Sequence, residues 1–141
     1  NEKRRFILIQ RVQKILSNKI KNKRIAFLGV TFKPNTDDMR ESSSPSMISF
    51  LLKRKAKINY YDPSGEKKEF SKLNNVSYCN NLKEACKNVD LVIIHTEWEE
   101  FKALDFNKLC KKNKFKIYDM RNLYPVDLMK KKGFKYYSIG R

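Results

Sequence analysis

The apolar positions of this chain change period several times, and each change marks an element. Leu8, Val12, Ile15, Leu16 and Ile20 recur at helical spacing with Lys and Arg between them, which predicts a helix over residues 3–20. Residues 24–30, RIAFLGV, are apolar with little alternation, as in a central parallel strand covered on both faces. Residues 31–41 hold Pro34, Asn35, Thr36 and two aspartates, all turn formers. Ser42, Ser43 or Ser44 can cap the next helix, Pro45 suits its first turn, and Met47, Ile48, Leu51 and Leu52 form its inward face. Further strands are predicted at Lys57–Tyr61, Val76–Tyr78 and residues 91–96, 115–118 and 134–139. Between them come a short helix or irregular crossing over 66–73 and a helix over 82–87 capped by Asn80 or Asn81. An apolar patch of Trp98, Phe101 and Leu104 follows. Asp105 then caps a helix running through Cys110, and a last helix, Val126–Lys131, stops at Gly133.

Strands and helices alternate, with connections short enough to require right-handed crossovers. The expected fold is therefore α/β: a doubly wound, mostly parallel six-stranded Rossmann-like sheet in the order 3-2-1-4-5-6, preceded by a long amino-terminal helix. Residues 1–23 read as an interdomain or linker helix and 24–141 as the domain. The helix suits partial packing on something outside the domain, an upstream domain or a second subunit. Simple cover for the sheet is the alternative. Sheets of this kind bind ligands at the carboxyl ends of strands, near the switch between strands one and four. That directs attention to loops 31–41, 96–101 and 119–124.

Composition narrows the function classes. A chain of 141 residues suits one hydrophobic core, and no apolar run approaches the ~18 residues of a membrane span. No signal peptide is visible, and an opening Asn1 that leads straight into a helical pattern suggests a natural start further upstream. The net charge of +17 is mostly lysine. Lys111 and Lys112 with Lys114, and Lys130 to Lys132, fall where helices should end and complement the carboxyl-end dipole. There is no zinc-finger spacing, no RNP-like motif and no Arg-rich tail, so no nucleic-acid partner is expected. A diffuse positive field still speeds the arrival of a phosphate-bearing ligand. Cys79, Cys86 and Cys110 form no C-x-x-C and suit a cytoplasmic protein without a disulfide framework. Cys86 and Cys110 lie on apolar helix faces, whereas Cys79, after a short strand, is a candidate for exposure.

The candidate chemistry lies at strand ends. The first strand leads into GVTFKP, which lacks the G-x-G-x-x-G that lets a backbone wrap a pyrophosphate. Side chains must hold any ligand instead. Lys33 is a point charge suited to phosphate, and Arg40 is a rigid fork suited to phosphate or carboxylate. Asp37 and Asp38 lack a third ligand for a metal and are read as bracing the loop or orienting Lys33 and Arg40. Asp119 and Arg121, in YDMRNLYP, form a second charged pair, either a site or a salt bridge holding the loop. His95 is either a satisfied structural histidine or a wall of the site, and Trp98 is packing. No nucleophile with a base, no hydride-cofactor fingerprint and no metal set is evident, so no catalytic residue is assigned.

GVTFKPNTDDMRESSS (29–44) resembles the signature that opens the carboxyl-terminal domain of the UDP-glucose/GDP-mannose dehydrogenase family. YYDP (60–63), VIIHTEWEEFKALD (92–105), YDMRNLY (118–124) and GFKYYSIGR (133–141) resemble the same family in the same order, nearest its bacterial UDP-glucose branch. The resemblance implies an enzyme that oxidises UDP-glucose to UDP-glucuronate with two NAD+. NAD would be bound mainly by an amino-terminal domain, and the nucleophilic cysteine would lie upstream of this one. It implies Lys33 and Arg121 as substrate contacts, Arg121 acting in the family from the partner subunit, and Arg40 reaching NAD. Asp37, Asp38 and Asp119 would support them. Partners would be the amino-terminal and central domains and a second copy in a homodimer, with no nucleic acid and no membrane. Met120 stands where many relatives have glycine, which demands ordinary φ/ψ and adds bulk near the site. The alternatives are the same domain of a UDP-N-acetylmannosamine or GDP-mannose dehydrogenase, or a non-catalytic nucleotide-binding module.

Overall fold

A computed structural model of the chain describes residues 2–110 and 114–140. Lys111, Lys112 and the terminal Arg141 of the last motif lie outside the described residues. The strands β1 (Arg24–Leu28), β2 (Lys57–Tyr61), β3 (Val76–Tyr78), β4 (Leu91–Ile94), β5 (Lys116–Asp119) and β6 (Lys135–Ser138) form one sheet in the order β3-β2-β1-β4-β5-β6. Every pairing is parallel, so the expected doubly wound order holds with no antiparallel edge.

The unalternating strands have two covered faces. Ile25 and Phe27 of β1, with Leu91 and Ile93 of β4 and Tyr118 of β5, pack under α1 (Glu2–Ile15) and α2 (Ser44–Lys53). Ala26, Leu28, Val92, Ile94 and Ile117 face α3 (Leu82–Ala85), α4 (Phe106–Leu109) and α5 (Val126–Lys131) on the other side. Asn81 accepts the Glu84 N–H and Asp105 accepts those of Asn107 and Lys108, the caps that start α3 and α4. Residues 66–73 form turns rather than a helix, anchored by Phe70 edge-on to Tyr60. Cys79 is buried, not exposed, because its N–H continues the ladder to the Tyr60 carbonyl and its side chain joins the core with Leu28 and Ala85, and burial pushes its thiol up to about 11.

The first helix is shorter than its periodicity suggests. It ends at Ile15, because Ser17 and Asn18 take left-handed φ of 53° and 60° and the Asn18 N–H turns back to the Gln13 carbonyl at 2.8 Å. Leu16 and Ile20 still reach the core from the turn, which is why the apolar spacing runs past the helix. The Lys116 ammonium donates to the Ile15 carbonyl at 2.7 Å, satisfying one of the free acceptors at the helix end. Leu8, Val12 and Ile15 lie in the same core as Ile25 and Phe27, so the inner face of α1 is part of the domain's packing. Its outer face shows Phe6 and Ile7 more than half exposed.

β1 ends at a close approach. Gly29 has φ +78°, and a Cβ there would lie 2.5 Å from Thr96 Cβ and 2.8 Å from Thr96 Oγ1. Gly29→Ala is therefore expected to lower stability by about 3 kcal/mol or more. Gly65 also has a positive φ but open space around it, so Gly65→Ala should cost only about 1–2 kcal/mol of backbone strain. Denaturant midpoints of the two variants check this. Equal losses would show that the Thr96 contact is not the constraint.

Candidate functional site

Three loops meet at the carboxyl edge of the sheet, and Thr96 ties the first two together. Its hydroxyl donates to the Thr31 carbonyl at 2.8 Å. With that proton committed, Thr96 Oγ1 can only accept from His95 Nδ1, 3.1 Å away. His95 Nε2 is then an acceptor, and the Ser43 hydroxyl donates to it across 2.9 Å. His95 is thus a neutral Nδ1–H tautomer with both nitrogens satisfied. It is fully buried, and burial, followed by the charge of Arg121, lowers its pKa to about 3. The structural reading of His95 therefore applies.

Within the serine run the cap falls to Ser42, whose Oγ accepts the Ser44 N–H at 3.2 Å. Ser43 is the N-cap of α2 by position but makes no side-chain cap bond. The Ser42 and Ser44 hydroxyls each donate to the Val30 carbonyl at 2.6 Å. Buried acceptors on Val30 and His95 claim the hydroxyl protons, because leaving those acceptors unpaired is costly, and the Ser42 oxygen still accepts the helix N–H. Asp62, at the end of β2, accepts the Val30 N–H through Oδ2 at 2.8 Å and the Ser64 N–H and hydroxyl through Oδ1. In dinucleotide-binding sheets an acidic residue near this corner holds a ribose. Here that carboxylate is occupied internally and Gly29 lies against Thr96, so the switch-point crevice is filled by the chain itself and does not fit NAD.

Arg121 spans the loops from above. Its Nε donates to the His95 carbonyl at 2.7 Å, one terminal nitrogen donates to the Phe32 carbonyl at 3.3 Å, and Glu97 Oε2 lies 3.7 Å from Nε. Asp119 does not pair with this guanidinium. It is fully buried and accepts the backbone N–H groups of Arg121 and Tyr124 and the Tyr136 hydroxyl, which shapes the 119–124 loop. Met120 has no positive φ, and it lines, with Arg121, Arg4, Arg5, Phe32 and Ser43, a pocket of about 390 Å³. A guanidinium has five N–H donors, so part of the Arg121 fork stays free of these backbone bonds.

The other sequence candidates lie outside the lining of that pocket. Lys33 is exposed in the turn after β1, and its ammonium has no ion pair among the described residues. Arg40 is held two-pronged by Asp38, with Nε and Nη2 donating to the carboxylate at 3.0–3.3 Å. That contact holds the Asp38 carboxyl below its ordinary range and raises Arg40. With its side chain 88% exposed, Arg40 presents an aimed cation to solvent. Asp37 is exposed and braces nothing among the described residues, because Asp38 alone faces Arg40. Arg4, Arg5 and Phe32 were not singled out from the sequence. Arg4 and Arg5 lie four and three residues before buried Leu8, a spacing that already places them on its side of the helix.

With this geometry in hand, residues 26–126 match the UDP-glucose/GDP-mannose dehydrogenase family, UDP binding domain. The chain belongs to this family. It is 36% identical over 143 residues to the UDP-glucose 6-dehydrogenase of Rickettsia felis, covering 99% of this chain and 32% of that protein. It is 37% identical over 142 residues to the UDP-glucose 6-dehydrogenase of Rhizobium meliloti, covering 100% of this chain and 32% of that one. The structure superposes on the UDP-D-ManNAc dehydrogenase of Pyrococcus horikoshii with a TM-score of 0.76 at 26% identity, over 100% of this chain and 32% of that one. The chain therefore spans about a third of the length of the curated relatives it matches.

The His95 network makes the domain acid-sensitive. An unfolded histidine titrates near ~6.5, whereas His95 in the fold titrates at about 3. The unfolded state thus binds the proton first as pH falls. The stability held above pH ~6.5 is lost progressively toward pH 3, at on the order of 1 kcal/mol per pH unit. Urea unfolding at pH 7, 6, 5 and 4 should show this slope in the native protein and a flatter one in His95→Gln. Parallel slopes would mean that another group carries the acid sensitivity.

Proposed function

We propose that this chain is the substrate-binding domain of a UDP-glucose 6-dehydrogenase, which oxidises UDP-glucose to UDP-glucuronate with two NAD+. The observation that carries this is Arg121. It is fixed across two loop ends by the His95 and Phe32 carbonyls, beside a pocket that Arg4 and Arg5 also line. A pre-oriented guanidinium fork loses little entropy on meeting a diphosphate. Lys33 supplies a movable charge to the substrate of its own subunit, and Arg121, as the resemblance implies, reaches the substrate of the partner subunit. Arg40, aimed outward by Asp38, is the contact toward NAD, and Asp119 sets the loop that presents Arg121. Because the crevice of this sheet does not fit a dinucleotide, NAD belongs to the amino-terminal domain of the full-length protein. The exposed Phe6 and Ile7 suit contact with its amino-terminal and central regions or with the second subunit of a homodimer. The setting is cytoplasmic. The UDP-N-acetylmannosamine reading rests on the fold shared with the Pyrococcus enzyme.

Calorimetric titration of UDP-glucose, UDP-N-acetylmannosamine and GDP-mannose into the full-length protein tests the reading. UDP-glucose should bind tightest. Lys33→Ala and Arg121→Ala should each weaken it about 10- to 100-fold, the worth of a charge-assisted hydrogen bond of roughly 1.5–3 kcal/mol. Arg40→Ala should instead weaken NADH binding. Unchanged UDP-sugar affinity in both substrate-site variants would refute the assignment. Turnover of UDP-glucose and NAD+ by residues 1–141 alone would refute the division of labour.

A further inference from the structure

A second concavity, of about 500 Å³, runs along the flank of α1 where it meets the end of β6. It shares only Leu8 with the arginine-lined pocket. Tyr118 of β5 lines it. This residue is only 1% exposed, yet among the described residues no group hydrogen-bonds its hydroxyl. The hydroxyl itself is not sealed in: among the described residues only Trp98 Nε1 is a fully buried side-chain polar atom without a partner, so the Tyr118 hydroxyl keeps access to the groove it lines. Burial pushes the phenol up to about 12, so it stays protonated and is a donor, while the charges of Arg11 and Arg4 act on it in the opposite direction. Arg11 and Lys14, one turn apart on α1, line the same groove. Arg11 is steadied by donating one nitrogen to the Ser138 carbonyl at 3.2 Å, which leaves most of its five donors for a ligand. Among the described residues no Asp or Glu lines the groove to neutralise the two cations. Ile7, Leu8 and Ile139 supply apolar wall.

We propose that this groove is a second ligand site, taking a phosphate-bearing small molecule whose phosphate meets Arg11, Lys14 and the Tyr118 hydroxyl. A dianionic phosphate matches two cations and one neutral donor better than a monoanionic carboxylate does, because its oxygens can serve every donor at once. The volume leaves room for an organic body against the apolar wall and falls within the range of small-molecule pockets.

The test uses full-length protein carrying ring-labelled tyrosine. The Tyr118 resonance is identified by its loss in Tyr118→Phe, a change that keeps the ring in the core. Phenyl phosphate, benzoate and phenol serve as probes, each with and without saturating UDP-glucose. Phenyl phosphate should shift the Tyr118 resonance in both conditions, benzoate should do so at least threefold more weakly by concentration, and phenol should not. By ligand-detected NMR, phenyl phosphate affinity under saturating UDP-glucose should fall at least threefold in Tyr118→Phe and further in Arg11→Gln. UDP-glucose affinity should be unchanged in both variants. An unmoved Tyr118 resonance would overturn the proposal, since the groove would then be filled by other parts of the protein. So would phenyl phosphate binding that UDP-glucose displaces completely, which places the probe at the Arg121 pocket only. Failure of UDP-glucose to bind would strike the substrate-domain reading instead and leave the Tyr118 response to decide this one.

Discussion

The packing of Gly29 against Thr96 governs the carboxyl edge of this sheet. A side chain at residue 29 would collide with Thr96 at 2.5 Å, and the backbone there needs a positive φ. Given that approach, the Thr96 hydroxyl reaches the Thr31 carbonyl, which fixes the tautomer of His95 and draws Ser43 onto it. The loops after β1 and β4 are thereby locked together before any ligand arrives. In dinucleotide-binding relatives of this architecture the same corner is left open for a pyrophosphate. Here it is closed by the chain's own hydrogen bonds, so binding moves outward to the side chains above it.

Arg121 follows from that closure. Its carbonyl partners, on His95 and Phe32, are the ends of the two locked loops, so the guanidinium position inherits their rigidity. Asp119 contributes from beneath, gathering the Arg121 and Tyr124 N–H groups and the Tyr136 hydroxyl on one buried carboxylate. The arrangement separates two tasks that a single ion pair would merge. Asp119 shapes the loop through backbone donors and the Tyr136 hydroxyl, while the arginine's charge is shared with partly exposed Glu97, 3.7 Å away, beside a pocket that Glu41 also lines. Asp38 treats Arg40 differently, pairing side chain with side chain at an exposed position. Such a pair adds little to stability and chiefly sets the direction in which the cation points.

The helix α1 brings charge to both concavities of the same face. Leu8, Val12 and Ile15 anchor it in the core, and the residues flanking that stripe, Arg4 and Arg5 toward one pocket and Arg11 and Lys14 toward the other, are carried with it. Part of the net charge of +17 is therefore placed, not merely spread.

Much of this was legible along the chain. The unalternating runs at β1 and β4 required two covered faces, the lack of the second and third glycines of G-x-G-x-x-G in GVTFKP excluded a backbone-wrapped pyrophosphate, and Asn81, Asp105 and Gly133 marked helix ends, because each is a local consequence of backbone geometry. Local pattern could also mislead. Ile20 extended the apolar period of α1 through a left-handed turn, and within the serine run the positional cap, Ser43, gives its hydroxyl to His95 while Ser42 accepts the Ser44 N–H. The partners that decide those cases, such as His95 for Ser43 or Ser138 for Arg11, lie 52 and 127 residues away in sequence. By itself the sequence determined the element types, their order and the residue chemistry at the strand ends. Only the tertiary structure decided which charges are free and which are committed, because a hydrogen bond depends on distances that folding alone creates.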